Sequence, residues 1–71
     1  MKYVGLTDDP ETRKEQHGNP SDWTIEKEFD KEPVARAWEK AKLALPGYKG
    51  GPSGKGWKYG YTYTITQSTI E

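Results

Sequence analysis

Two side chains capable of chemistry, Arg13 and His17, lie four residues apart in a polar segment near the start of the chain. This spacing places both on one face if the segment is a helix. Arginine binds anionic oxygens through its planar guanidinium group, and histidine transfers protons near neutral pH. No large aliphatic side chain and no Phe, Tyr or Trp occurs between residues 7 and 22. Two interpretations are open: the helix is a loosely packed, solvated element, or its inner face lines a polar site.

The elements around this segment follow from local signals. Residues 2–6 predict a short strand, with Tyr3 and Gly5 on one side of it. A turn leads to Asp9, a good N-cap, and to Pro10 at the first helical position, where its missing N–H costs nothing. We expect this helix to end at Gly18.

The middle of the chain predicts a strand followed by the main core helix. Residues 23–29 alternate, which places Trp23, Ile25 and Phe29 on the buried face of a half-buried strand. Asp30 is the expected N-cap of the next helix. That helix carries an apolar stripe at helical spacing and ends at Pro46-Gly47. The stripe consists of Val34, Ala37, Trp38, Ala41 and Leu45.

A glycine-rich loop at 48–56 separates this helix from the strongest strand signal in the chain, residues 57–66. The loop lacks the pattern of a phosphate-binding P-loop, because Gly54-Lys55 is followed by Gly56 and no helix follows. Period-two alternation places five strand residues on one face. They are Trp57, Tyr59, Tyr61, Tyr63 and Ile65. Residues 67–71 are expected to form a polar tail.

The composition limits the class of protein. A chain of 71 residues forms one domain, near the lower size limit for folding without staples. It has no cysteine, which excludes a disulfide framework and a zinc ribbon and fits a cytoplasmic setting. No apolar run suits a signal peptide or a membrane span. The formal net charge of zero gives no support for a general polyanion-binding protein, whereas three Trp and five Tyr argue against disorder.

The segment Tyr3-Val4-Gly5, together with Arg13 and His17, resembles part of the signature of GIY-YIG nucleases. Tyr3-Val4-Gly5 is similar to the Tyr-Ile-Gly strand of that family. Arg13 matches the family's essential arginine, and His17 matches the His or Tyr one helical turn later. Ala35-Arg36-Ala37-Trp38-Glu39 resembles the segment that precedes and includes the metal-binding glutamate, which makes Glu39 the candidate metal ligand.

The family's first strand, Gly-Ile-Tyr, has no equivalent before Tyr3. The C-terminal Tyr61-Thr62-Tyr63-Thr64-Ile65-Thr66 resembles that strand and places Tyr63 at the family's first tyrosine. We therefore hypothesise a circular permutation in which the last strand lies antiparallel to residues 3–5. The departures are Leu6, where many members carry lysine, and the lack of an equivalent for a late asparagine.

The resemblance implies hydrolysis of phosphodiester bonds in nucleic acid, DNA foremost, with Mg²⁺ or Mn²⁺ held by Glu39. It implies that Arg13 clamps phosphate oxygens and that Tyr3 acts as general base or orients the water, supported by Tyr63 or His17. Three side chains are candidates for contacting a nucleic-acid strand: Lys55, Trp57 and Lys58. An 8.1 kDa domain has little surface for sequence recognition, so it would be weakly specific or would need a homodimer or a protein partner to supply specificity.

Each candidate also has a structural explanation. The tyrosines pack across a sheet, and Arg13 is a solvated helix residue. His17 is favoured by the helix dipole, Glu39 pairs with a lysine such as Lys42, and Trp57 anchors the core or the loop.

The predicted fold is α+β, a three-stranded and mainly antiparallel sheet with two helices. The order is β-α-β-α-β, with the N-terminal strand in the centre and the C-terminal strand beside it at one edge. Two functions besides the nuclease stay open. One is a catalytically inactive relative that binds nucleic acid. The other is a small protein-interaction domain that uses the aromatic C-terminal strand for β-augmentation.

Overall fold

The computed structural model describes residues 1–50 and 56–66, and it confirms the α+β class with two helices. The elements are β1 (Lys2–Thr7), α1 (Pro10–Gln16), β2 (Thr24–Glu28), α2 (Glu32–Leu43), β3 (Tyr48–Lys49) and β4 (Tyr59–Thr64). In this part of the chain, no helix has the length and apolar character needed to cross a membrane. The predicted tail at 67–71 and most of the predicted glycine-rich loop lie outside the described residues.

The sheet has four strands in the order β2-β4-β1-β3. The C-terminal strand β4 pairs antiparallel with β1, which confirms the predicted pairing of the last strand with the first. The three-stranded prediction is wrong because Tyr48–Lys49, expected in a loop, pairs parallel with β1. The edge position predicted for β4 is also wrong, since β2 pairs along its other side. With both sides paired, β4 offers no free backbone for β-augmentation.

The two central strands present side chains to both faces of the sheet. On one face Leu6 of β1 packs with Phe29 and with Ala35 of α2. Gly60 of β4 lies beneath α2 on this face, and a Cβ atom there would be only 2.5 Å from the Trp38 ring. The opposite face carries a second cluster, formed by the buried tyrosines Tyr3, Tyr61 and Tyr63. The sheet therefore separates two small cores.

The strand at 23–29 contains a β-bulge, so the prediction that its apolar residues share one face is wrong. Ile25 pairs with Tyr61, but Lys27 pairs with Gly60, so Glu26 is an extra residue on β2. One extra residue reverses the facing of everything beyond it. Trp23 therefore packs on the tyrosine face and Phe29 on the α2 face, and they do not share one side as predicted.

Helix α1 has the predicted boundaries. The Asp9 carboxylate caps it by accepting a hydrogen bond of 3.2 Å from the Thr12 backbone N–H, and Pro10 occupies the first helical position. His17 is the C-cap, and Gly18 follows with a φ of +82°. This left-handed conformation ends the helix and suits a glycine.

Helix α2 buries a different side from the predicted one. Ala35 is fully buried and Trp38 is half-buried, whereas Val34 is 54% exposed and Leu45 is 49% exposed. The buried side is set by Trp38 over Gly60, not by the longer aliphatic stripe. The expected cap is also wrong, because the N-cap is Lys31 and no side chain caps the helix.

Candidate functional site

His17 joins α1 to the tyrosine face of the sheet. Its side chain is buried, and both ring nitrogens have tyrosine partners. Nε2 lies 2.9 Å from the Tyr61 hydroxyl, and Nδ1 lies 2.8 Å from the Tyr63 hydroxyl. Helix α1 itself has no buried residue, so this imidazole supplies the contact that an apolar stripe normally makes.

Three tyrosines from the paired strands β1 and β4 surround the imidazole. Tyr3 stands directly opposite Tyr63 in the register, and their ring centroids are 5.2 Å apart. The Tyr3 ring lies 4.8 Å from the His17 ring. Tyr61 stands opposite Gly5, and its ring end occupies the space where a side chain at position 5 would begin. The juxtaposition of Tyr3 and Tyr63 that the permutation hypothesis requires is present in the sheet.

Trp23 closes the cluster on the side of β2. Its ring stacks on Tyr61 with a centroid distance of 4.3 Å and an interplanar angle of 21°. Such stacking limits the rotation of both rings and excludes water from between them. Trp23 is half-buried and borders the outside of the cluster.

Arg13 lies on α1 one turn before His17 and is half-buried. Burial raises the pKa of the Tyr61 hydroxyl, and the positive charge of Arg13 opposes that rise in pKa. The guanidinium group is therefore within electrostatic range of the buried phenol. Among the described residues no acidic side chain forms an ion pair with Arg13, so its charge is available to an anionic ligand.

Glu39 comes from α2, which packs against the opposite face of the sheet from the tyrosines. Its side chain is 13% exposed, and Nη1 of Arg36 lies 3.9 Å from its Oε1. Burial raises the pKa of the Glu39 carboxyl, and Arg36 only partly opposes this. The charge of Glu39 also raises the pKa of Tyr61, which places it within electrostatic range of the tyrosine cluster.

The described residues include no group of three His, Cys, Asp or Glu side chains that could hold a metal ion. A divalent cation at this site would therefore have Glu39 as its one carboxylate ligand and water or substrate oxygens for the others. Mg²⁺ is often bound through only one or two carboxylates, so a single carboxylate ligand does not disqualify this type of ion.

A groove of about 580 Å³ opens beside His17. Its walls are the loop of residues 17–22, Thr64 at the end of β4, and Thr66 just beyond that strand. Asp22 braces this wall, because its carboxylate accepts hydrogen bonds from both the backbone N–H and the hydroxyl of Thr64. These hydrogen bonds lower the pKa of Asp22. The groove gives a ligand a polar approach to one side of the imidazole.

The predicted nucleic-acid contacts are not gathered at this cluster. Lys55 lies outside the described residues. Trp57 packs against the Leu6 and Phe29 core, so the prediction that it shares a face with Tyr61 is wrong. Lys58 is exposed, and its backbone N–H donates to the Asp8 carboxylate at 3.2 Å.

Two members of the cluster, Tyr61 and Trp23, were not among the residues predicted for the site. The signal for Tyr61 was present, because period two places it on the same face as Tyr63. Trp23 was assigned to the buried face of its strand, and nothing local showed that this face would meet the tyrosines.

Comparison with known proteins adds no relative to this picture. No family model matches the chain, and neither the curated proteins nor the solved structures include a significant match.

Proposed function

We propose that the chain is a metal-dependent endonuclease resembling a circularly permuted GIY-YIG domain, which hydrolyses phosphodiester bonds in nucleic acid, DNA foremost. The observation that carries the proposal is the position of Tyr63 directly opposite Tyr3, with His17 against both rings. The permutation requires that the last strand lie antiparallel beside the first. Pairing of β4 with β1 in this direction supports it.

The side chains divide the chemistry between phosphate binding and proton transfer. Arg13, which has no carboxylate partner among the described residues, would bind the non-bridging phosphate oxygens with its planar fork. Tyr3 would orient the attacking water or accept its proton. Tyr63, hydrogen-bonded to His17, would support Tyr3 in this role.

Glu39 would hold the Mg²⁺ or Mn²⁺ ion. A bound divalent cation supplies Lewis-acid polarisation of the phosphate and stabilises the leaving oxygen. The raised pKa of Glu39 reflects burial that the charge of Arg36 only partly opposes. Binding of a divalent cation would compensate the lost solvation, because an opposite charge favours the ionised carboxylate.

A second function, nucleic-acid binding without cleavage, is favoured by the burial of the tyrosines. Tyr61 and Tyr63 are each only 1% exposed and Tyr3 is 6% exposed. A phosphodiester must reach Tyr3 for the reaction, whereas binding alone needs only Arg13 and the exposed rim. Leu6, which stands where many family members carry lysine, is buried in the opposite core with Phe29 and Ala35.

The decisive experiment is cleavage of supercoiled plasmid and short duplex and single-stranded substrates, with Mg²⁺, with Mn²⁺ and with chelator. We expect metal-dependent nicking that falls at least about 100-fold in Arg13→Ala and in Glu39→Gln, since each removes charge stabilisation of the transition state. Lys14→Ala, on the same helix, and Glu28→Gln, on exposed β2, are the matched controls and should retain activity.

The outcomes separate the two functions. Binding that weakens steeply with salt and depends on Arg13, but is accompanied by no cleavage, would establish the non-catalytic relative. Cleavage that survives in both Arg13→Ala and Glu39→Gln would show that the tyrosine cluster is not the active site.

A further inference from the structure

The hydroxyl of Tyr61 has a single hydrogen-bond partner within the described part of the chain, Nε2 of His17 at 2.9 Å. Tyr61 is 1% exposed, so solvent does not replace this partner. Among the described residues, no buried side-chain nitrogen or oxygen lacks a hydrogen bond. The Tyr61 hydroxyl is thus satisfied by His17 alone.

This arrangement determines the direction of the hydrogen bond. A neutral phenol has one hydrogen to donate, and leaving it unpaired in a buried site costs free energy. The acceptor for Tyr61 is Nε2, which must therefore carry a lone pair. In a neutral imidazole the proton then resides on Nδ1, and Nδ1–H donates to the Tyr63 hydroxyl oxygen at 2.8 Å.

We propose that Tyr61 is a positioning residue that holds neutral His17 in its Nδ1–H tautomer, so that the Tyr63 oxygen accepts a hydrogen bond from the imidazole. The Tyr63 hydroxyl hydrogen then points away from His17. A phenol oxygen that accepts an N–H hydrogen bond is stabilised when it becomes a phenolate. The relevance to catalysis rests on the proposed function, whereas the tautomer itself does not.

Two contacts hold Tyr61 in the required place. Trp23 stacks on its ring at 4.3 Å. Gly5 leaves room for its ring end, since a Cβ atom at position 5 would be 2.4 Å from the Tyr61 hydroxyl oxygen. The residue that orients the imidazole is itself fixed from two sides.

The test uses the fact that the chain contains one histidine. With ¹⁵N-histidine label, the long-range ¹H–¹⁵N spectrum at a pH where the imidazole is neutral shows directly which ring nitrogen bears the proton. The measurement is made on the whole chain without metal or nucleic acid. We expect a predominantly Nδ1-protonated ring in the wild-type protein.

Tyr61→Phe and Tyr63→Phe form a matched pair of variants, because each removes one hydroxyl from one ring nitrogen. Tyr61→Phe should change the tautomer ratio toward Nε2–H by about tenfold, the equivalent of one hydrogen bond. Tyr63→Phe retains the Tyr61 donor, so Nδ1 should stay protonated. Dispersion of the amide spectrum checks that each variant is folded.

Three results would overturn the proposal: an Nε2-protonated ring in wild type, an unchanged ratio in Tyr61→Phe, or loss of the Nδ1–H form in Tyr63→Phe alone. The wild-type spectrum decides the matter even if a variant fails to fold. Absence of nuclease activity would remove the proposed function and leave the tautomer result intact, so the two failures are distinguishable.

Discussion

The hydroxyl end of Tyr61 occupies the volume where a side chain at position 5 would begin, which gives the glycine of Tyr-Val-Gly a packing role. A Cβ atom there would lie 2.4 Å from the hydroxyl oxygen and 2.5 Å from the ring carbon that bears it. Tyr61 is buried, so its ring cannot move aside without breaking the hydrogen bond between its hydroxyl and His17. The resemblance identified Gly5 as part of a motif, and the structure supplies a physical reason for it.

Gly5→Ala is expected to lower the free energy of unfolding by about 1–3 kcal/mol, the usual cost of overpacking a filled core. Urea unfolding measures this loss. The His17 ¹⁵N signals should change in the same variant, because the displaced Tyr61 no longer reaches Nε2. Gly47→Ala is a poor control because its φ is +85°. Gly5→Ala in a Tyr61→Leu background, which lacks the ring end, serves better, and an unchanged cost there would contradict the packing role of the Tyr61 ring end.

Glu39→Gln should stabilise the protein at neutral pH. Burial raises the pKa of Glu39, so the folded state disfavours its ionised form. The Glu39 side chain therefore lowers the free energy of unfolding at pH values above its pKa in the folded state. This loss disappears as the pH falls below its pKa in the unfolded state. We expect the gain from Glu39→Gln at about pH 7 to vanish near pH 4 in urea titrations. Glu28→Gln, at an exposed position, is the control. An equal effect of Glu39→Gln at both pH values would contradict the prediction.

At the scale of elements, α1 is a short helix whose stability depends on the contacts made at its two ends. It has seven residues and buries none of them, so an isolated helix of this length would not persist. The Asp9 cap fixes its start and the His17 ring fixes its end. Because Arg13 is positioned only through this helix, the cap contributes indirectly to the candidate site.

Asp9→Ala is expected to cost about 1 kcal/mol, the typical value of a lost N-cap. Asp30→Ala is the matched control, because the sequence predicts an N-cap at both residues whereas only Asp9 caps a helix. Its expected effect lies within about 0.5 kcal/mol, as for other exposed positions. Thermal unfolding of the two variants measures the difference, and equal losses would mean that α1 is not held by its cap.

Elements with a local signal in the sequence could be predicted, whereas features set by distant contacts could not. The Asp9-Pro10 start of α1 is a local signal, and the permutation hypothesis placed β4 beside β1 through a resemblance. The Glu26 bulge has no local signature, and it alone sends Phe29 to the other face. In α2 the predicted stripe included Trp38, but the buried side carries Ala35 beside Trp38 and leaves Val34 and Leu45 exposed. These outcomes depend on partners distant in the sequence.

The site was predictable to a similar extent. Tyr3, His17 and Tyr63 meet as the resemblance implied, since each was placed by a strand or helix with a clear pattern. Tyr61 was not assigned a role, because period two indicates a face but not a hydrogen bond. Glu39 comes from the helix on the opposite face of the sheet, a relation that depends on the whole topology.

At the scale of the whole molecule, the domain has two small cores on opposite faces of one sheet. Leu6, Phe29 and Ala35 form one, and the tyrosines form the other. Strand β1 contributes side chains to both cores, and β4 carries two of the tyrosines while its Gly60 lies beneath Trp38. Neither core can therefore be lost without releasing a strand that the other core needs. We therefore expect the two faces to unfold as one cooperative unit.

Phe29→Ala tests this coupling from the face that is remote from the candidate site. Phe29 is buried, and truncation should cost about 3–5 kcal/mol. A chain of 71 residues has a total stability of roughly 4–11 kcal/mol, so this loss is a large part of it. Val34→Ala, on exposed α2 surface, is the control and should be nearly neutral, because alanine also favours helix more than valine does.

Tryptophan fluorescence and the His17 ¹⁵N signals should lose their native values at the same urea concentration in each variant. Persistence of the Nδ1–H signal after the fluorescence transition in Phe29→Ala would show instead that the tyrosine face folds independently of α2.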